Sequence, residues 1–233
     1  MFAMGPAFAN ANGPSASDPY FANVVCLMHF DGANGSTTFT DQIAANSWNI
    51  QAGLPTISTA QSKFGGSSGN FPVNTNAAIQ TADKTALQMG TGDFTIEGWF
   101  NPVAGSGAFG AMYIKGSNSA GGLTLTVLPT AVGFRCNTST TFSQTISAIS
   151  GWAHIAWVRA SGVVTIYVNG ISVYSTTVSF NHNDTSTMYL GSNTSAGSGT
   201  FSYGGYIDDF RITKGVARYT ANFTPPAAPF PNH

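Results

Sequence analysis

The chain has 233 residues, a formal net charge of −1 and only 7% charged residues. That length suits one domain with appendages and buries a sizeable core without disulfide or metal staples. So few cations leave no track for phosphates, which excludes nucleic acid as a partner, and no apolar run is long enough for membrane insertion. A nearly neutral surface also favours association with other subunits.

Residues 1–21 are rich in Ala, Asn, Gly, Pro and Ser and build no core of their own. They read as an N-terminal arm that gains order by docking Phe2, Phe8, Tyr20 and Phe21 on another surface. "AFANA" resembles a cleavage site, but there is no basic n-region and Gly5-Pro6 interrupts the apolar part, so a secretory signal is not expected.

From residue 24 the pattern is that of strands. "VVCLMHF" (24–30) is a short apolar run that ends at Asp31-Gly32. "FTIEGWF" (94–100) alternates, with Phe94, Ile96 and Phe100 on one face and Thr95, Glu97 and Trp99 on the other. "LTLTVL" (123–128), "WAHIAWVR" (152–159) and "VVTIYVNGISVYS" (163–175) follow, the last with an Asn169-Gly170 hairpin turn. "TMYLGSN" and "YGGYIDDFRI" complete the set, and Gly, Ser, Thr and Asn clusters separate them. No segment sustains a 3.6-residue period. The fold class is all-β, two packed antiparallel sheets. Cys26 and Cys136 are too few for a disulfide framework, and whether they pair is not readable from spacing.

Taken together, "LMHFDGANGSTTFTD" (27–41), "STAQSKFGGSSGNF" (58–71), "GTGDFTIEGWF" (90–100), "GWAHIAWVR" (151–159), "VTIYVNG" (164–170), "LGSN" (190–193) and "GGYIDDFRITKGVARYTANFTPPAAPFP" (204–231) resemble the laminin-G-like branch of the concanavalin A-like lectin/glucanase fold. The closing stretch is similar to versions common in phage and phage-like bacterial proteins. The resemblance implies a jelly-roll sandwich over residues 22–214 and an extended tail, 215–233, that packs back on it. Gly98 departs from the pattern, standing where a bulky residue is usual, so looser local packing is expected there.

The fold hosts lectins, hydrolases and adhesive modules alike, so function rests on the site. Hydrolysis of a glycosidic bond needs two carboxyl groups flanking it. The chain has one glutamate, Glu97, with no acid two residues away, and adjacent Asp208 and Asp209 on a regular strand would face opposite ways. No nucleophile elbow or zinc-protease motif occurs, so the chain is not expected to be an enzyme.

Alternation with Phe210 and Ile212 places Asp208 inward and Asp209 outward beside Arg211. An inward carboxylate needs partners. It either accepts bonds from backbone amides, Arg159 or His154, or joins Asp31 and Asp41 around a structural Ca2+, the one cofactor considered. Trp48, in the polar loop "AANSWNIQAG", either stacks on a sugar or fills the core. Asn137 and Asn193 either bind a glycan or form turns. The expectation is a non-catalytic phage virion protein, a capsid decoration, head-fibre or tail-associated module. It would be held by its arm to other virion proteins or to itself, and would bind host-surface glycans. A free bacterial lectin is the alternative; a glycoside hydrolase ranks below both.

Overall fold

The computed structural model describes residues 17–43, 46–73, 75–105, 110–116, 119–137, 140–192 and 202–233. In chain order the strands are β1 (Val24–Met28), β2 (Asn49–Ala52), β3 (Thr56–Ser58), β4 (Ser68–Phe71) and β5 (Ala78–Thr81). Next come β6 (Phe94–Pro102), β7 (Ala111–Lys115), β8 (Leu123–Leu128), β9 (Ala131–Cys136) and β10 (Thr140–Thr145). The last five are β11 (Ala153–Ala160), β12 (Val163–Val168), β13 (Ile171–Thr177), β14 (Met188–Leu190) and β15 (Gly205–Lys214). Among the described residues, helix is confined to two single 3-10 turns, Phe21–Asn23 and Thr85–Leu87.

The strands form two antiparallel sheets. One has eight strands in the order β13-β12-β11-β6-β15-β4-β3, with β1 beside β15; the other has seven, β10-β9-β8-β7-β14-β5-β2. This is a concanavalin A-like jelly-roll sandwich, as expected. The expected alternation places Phe94, Ile96 and Phe100 of β6 in the core with Ile155 and Trp157 of β11, facing Leu123, Leu125, Val132 and Phe134 of the other sheet. Trp157 carries its polar edge across the sandwich, donating from Nε1 to the Gly133 carbonyl at 3.0 Å, so its burial leaves no orphan donor. Cys26 and Cys136 are both buried free thiols, one on each sheet.

Asn169 and Gly170 have φ of +49° and +78° and turn β12 into β13, the left-handed pair that a two-residue hairpin needs.

The strand β15 departs from regular alternation at the paired acids. Asp208 sits opposite Trp99 and Arg211 opposite Glu97, so Asp209 and Phe210 together face Gly98, and Asp209 has φ +50°. This is a β-bulge. It falls where β15 changes neighbour on its other edge, from β4 (opposite residues 205–207) to β1 (opposite 210–213). A Cβ on Gly98 would lie 3.3 Å from the Phe210 Cα. The expectation of loose packing at Gly98 is therefore corrected: the bulge fills the space a side chain would need.

Candidate functional site

At its centre, the outer face of the eight-stranded sheet is not open to solvent. Glu97 projects from β6 on the side away from the core and is 0% exposed. Arg211, its direct neighbour on β15, donates to Glu97 Oε1 from Nη2 at 2.7 Å and from Nε at 3.1 Å. Tyr219 donates its hydroxyl to Glu97 Oε2 at 2.8 Å, and His154 Nε2 lies 3.2 Å from the same oxygen. The third Arg211 nitrogen donates to Asp18 Oδ2 at 3.0 Å, and Arg218 grips both oxygens of Asp18 at 2.9 and 2.7 Å. Burial raises the Glu97 carboxyl, but the Arg211 charge and the His154 and Arg211 bonds outweigh it and hold it at about 2.

Both ends of the described chain cover this layer. The Asp18 amide donates to the His233 carbonyl at 2.8 Å, and the Phe230 ring lies 3.8 Å beneath the Arg211 guanidinium. Tyr219 and Phe223 stack at 3.6 Å over Tyr167, and His154 meets Trp99, Tyr219, Phe223 and Phe230 edge-on. Asp18, the one charge of its stretch, is thus a structural anchor that sequence reading left inside the arm. Residues 18–21 belong to the domain: Phe21 packs against Val24, Leu27 and Phe230, while Tyr20, 43% exposed, lies over Arg218. Phe2 and Phe8 lie outside the described residues.

The acids at the bulge require a correction. Asp208 does not point into the core; it shares the face of Trp99, and its Oδ2 accepts the Lys63 and Phe64 amides at 2.7 and 3.0 Å. Asp209 does not point to solvent beside Arg211. It is also 1% exposed, accepting from His29 Nδ1 at 2.6 Å and from the Phe230 amide at 2.7 Å. Adjacency on a regular strand is therefore not what keeps these acids from acting together. They are each closed off by a separate segment, the 61–66 loop and the tail.

Burial pushes Asp208 up to about 7 against its two amide bonds, and the charges of Asp209 and Asp31 add to the rise. Burial also lowers His29, but the bonds to Asp209 and Asn232 outweigh it and raise its pKa overall.

The same geometry answers the calcium expectation. Asp41 accepts the Leu27 and Ile43 amides, Asn46 Nδ2 and Trp48 Nε1, at 2.8–3.1 Å. Asp208 likewise faces N–H donors. A hard cation needs oxygen atoms turned toward it, and here the positive ends of N–H bonds occupy that space. Asp31, Asp41 and Asp208 do not fit a shared Ca2+, and among the described residues no group of three metal-binding side chains assembles. Trp48, bonded to Asp41 and 8% exposed, fills the core and offers no stacking face. Asn137 has φ +58°; its Oδ1 accepts from the Gly121 amide at 3.4 Å, the work of a turn residue. Asn193 lies outside the described residues.

Among the described residues, two of the surface hollows bear on function. One, of about 350 Å3, is bordered by His29, Asp31 and residues 228–232. Its histidine is already bonded to Asp209 and Asn232. The other, of about 410 Å3, lies at the rim between the β10–β11 connection and the β12–β13 hairpin, where Trp152, Asn169, Ser147 and Ser150 line it among Ile146, Ile149, Val168 and Val173. In the sequence Trp152 merely opens the strand-like segment 152–159, and Asn169 stands in the hairpin turn. Pairing them needed the hairpin register, which brings Val168 and Asn169 back beside His154.

The family model of the concanavalin A-like lectin/glucanases superfamily, laminin-G type, matches residues 73–218, and the chain belongs to that superfamily. No curated protein sequence matches it. Among solved structures, it is similar to domain 4 of AbnA, a GH43 extracellular arabinanase from Geobacillus stearothermophilus solved in complex with arabinotriose. That likeness has a TM-score of 0.62 at 17% identity over 84% of this chain and 94% of the other. It is also similar to the binding domain of Paraclostridial Mosquitocidal Protein 1 (TM-score 0.59, 16% identity, 84% and 50% covered). A third likeness is to botulinum neurotoxin type C, whose cell entry depends on two ganglioside molecules (TM-score 0.59, 13% identity, 84% and 49% covered). The chain spans about half the length of these two toxin structures.

Proposed function

We propose that this member of the superfamily is a non-catalytic carbohydrate-recognition and adhesion module carried on the surface of a phage particle, as a capsid decoration, head-fibre or tail-associated protein. The observation that carries the non-catalytic reading is the fate of Glu97: fully buried, neutralised by Arg211 and sealed under Tyr219 and Phe230. Glycoside hydrolysis asks for a proton donor and a second carboxylate either side of an accessible bond. Here Glu97, Asp208 and Asp209 are committed to the fold and closed to substrate. Glycan recognition is supported by the exposed surface, which is rich in uncharged hydroxyl and amide groups. The arabinotriose and ganglioside contexts of similar folds point the same way.

The particle location rests on the resemblance of residues 204–231 to phage versions, and on an arm whose Phe2 and Phe8 are proposed to dock on a neighbouring subunit or another virion protein. A free bacterial lectin is the second reading. It is favoured by one observation, that Asp18 to Asn23 dock on their own domain.

A glycan array read alongside a reducing-sugar assay tests the recognition half: binding without release of sugar is expected, and release would restore the hydrolase. Deleting residues 1–16 tests the location. The shortened chain keeps Asp18, so it should melt as the full chain does yet fail to join the particle; normal incorporation would favour the free lectin.

A further inference from the structure

The two segments that carry the polar partners of the rim hollow are fixed before any ligand arrives. The connection that carries Ser147 and Ser150 is pinned to the β8–β9 turn: Ile146 donates to the Thr130 carbonyl at 2.9 Å and Ile149 to the Pro129 carbonyl at 2.8 Å. Asn169 is held twice to His154, its amide donating to the His154 carbonyl at 2.8 Å and its Oδ1 accepting the His154 amide at 3.0 Å. With Oδ1 occupied, the NH2 end of the side chain is what Asn169 offers. The hairpin tip beneath it is clamped by the tail, through Phe223 N–H to the Gly170 carbonyl and Ser172 N–H to Asn222 Oδ1, both 2.9 Å. Such preorganisation removes the ordering cost that weakens binding by loops.

The chemistry of the lining selects a ligand class. Among the described residues no ionisable side chain borders the hollow, whereas the smaller one carries His29 and Asp31. Trp152 is half-buried and the flanking Ser147, Ser150 and Asn169 are exposed, so an aromatic platform stands among hydroxyl and amide groups. A pyranose ring has the matching surface: an apolar face of C–H bonds and a rim of hydroxyls that both donate and accept. The volume of about 410 Å3 lies within the range of small-molecule sites.

We infer that this hollow is a subsite for one neutral sugar ring, with Trp152 as its platform and the Asn169 NH2 and the Ser147 and Ser150 hydroxyls as its polar partners. The inference rests on the glycan-recognition reading above and adds to it a place and a charge class: neutral glycans over carboxylated ones, because none of the described lining residues offers a cation to a carboxylate.

The test is calorimetric titration of the full chain with neutral trisaccharides of glucose, galactose and arabinose, and with a sialylated trisaccharide as the acidic comparator. Trp152→Ala should weaken binding of the preferred neutral sugar by at least about tenfold, as expected when a central aromatic anchor is removed. Trp152→Phe should retain most of it. Asn169→Asp keeps the Oδ1 acceptor and tolerates the left-handed backbone, so it should fold normally and still lose affinity severalfold. Because Trp152→Phe and Asn169→Asp preserve the local packing, the result does not depend on the alanine variant folding. Neutral-sugar binding unchanged in Trp152→Ala and Asn169→Asp would place the site elsewhere and overturn the inference while leaving glycan recognition intact. Binding of the sialylated ligand alone would overturn the charge class. A full chain that binds none of these sugars and no spot on the array would remove the underlying reading as well.

Discussion

At the centre of the eight-stranded sheet both faces are buried, and around Glu97 the outer one is buried by the opposite means to the inner. On the inner face Phe94, Ile96, Phe100, Phe210 and Ile212 meet other hydrocarbon side chains. On the outer face Glu97, Arg211, Asp18 and Arg218 meet one another beneath the folded-back tail. The first face draws its stability from area removed from water and tolerates conservative changes of shape. The second depends on every charge having its partner, since a buried ion pair contributes little beyond its own desolvation cost while a broken one is severely destabilising. An inner face organises the fold; this outer face ties residues 18–23 to the C-terminal tail.

The sharpest way to break the comparison is Arg211→Ala. It strands the fully buried Glu97 without its guanidinium partner, and a loss of about 3–5 kcal/mol in chemical denaturation is expected. The double change Glu97→Leu with Arg211→Met should recover most of that loss, because no unpaired charge remains. A double variant as unstable as Arg211→Ala would show that the layer acts by shape and not by charge.

A middle-sized effect separates the carboxylates by pH. Glu97, held at about 2, adds stability that is present above its ordinary value near 4.5 and is lost as pH falls toward 2. Asp208 behaves in the opposite sense. Its pKa is raised from 3.8 to about 7, so its contribution is full below pH 3.8 and fades as pH rises through 7. Melting temperatures across pH 3–8 should therefore fall on both sides of a maximum. Asp208→Asn should flatten the upper slope between pH 4 and 7 and leave the acid limb in place. An unaltered upper slope in that variant would assign it to other groups, His29 foremost, whose raised pKa carries the same sign.

The smallest effect is Tyr219→Phe, which removes one hydroxyl from Glu97 and keeps the stack on Phe223. A loss of roughly 1.5–3 kcal/mol is expected for a hydrogen bond to a charged group. A larger loss would mean that the hydroxyl, and not the ring stack, secures the tail.

The inner face was legible from sequence because its signal is local. Alternation in 94–100 and 123–128, and the Asn169-Gly170 pair, are read within a few residues of each other. The outer face was not, because its bonds join residues far apart: Arg211 to Glu97 across 114 positions and to Asp18 across 193. Glu97, Arg211 and Asp18 each look like an isolated surface charge until the topology brings them together. The bulge at Asp208 and Asp209 defeated face assignment for a related reason. A period of two carries no mark of an inserted residue, so counting outward from Phe210 put Asp208 on the wrong side. Trp48 sat in a polar segment, and its burial depended on Asp41 turning back to receive its indole N–H. The family resemblance was readable over most of the chain, but a fold shared by binding and catalytic proteins left the site to be found from geometry.

The central claim, sugar recognition without chemistry, is tested most directly by saturation-transfer NMR on the full chain mixed with neutral oligosaccharides and followed over hours. The account predicts magnetisation transfer to the ring protons of at least one sugar, with the anomeric signals unchanged throughout. New anomeric signals would reveal hydrolysis, and no transfer to any sugar would deny recognition; either result would contradict the account.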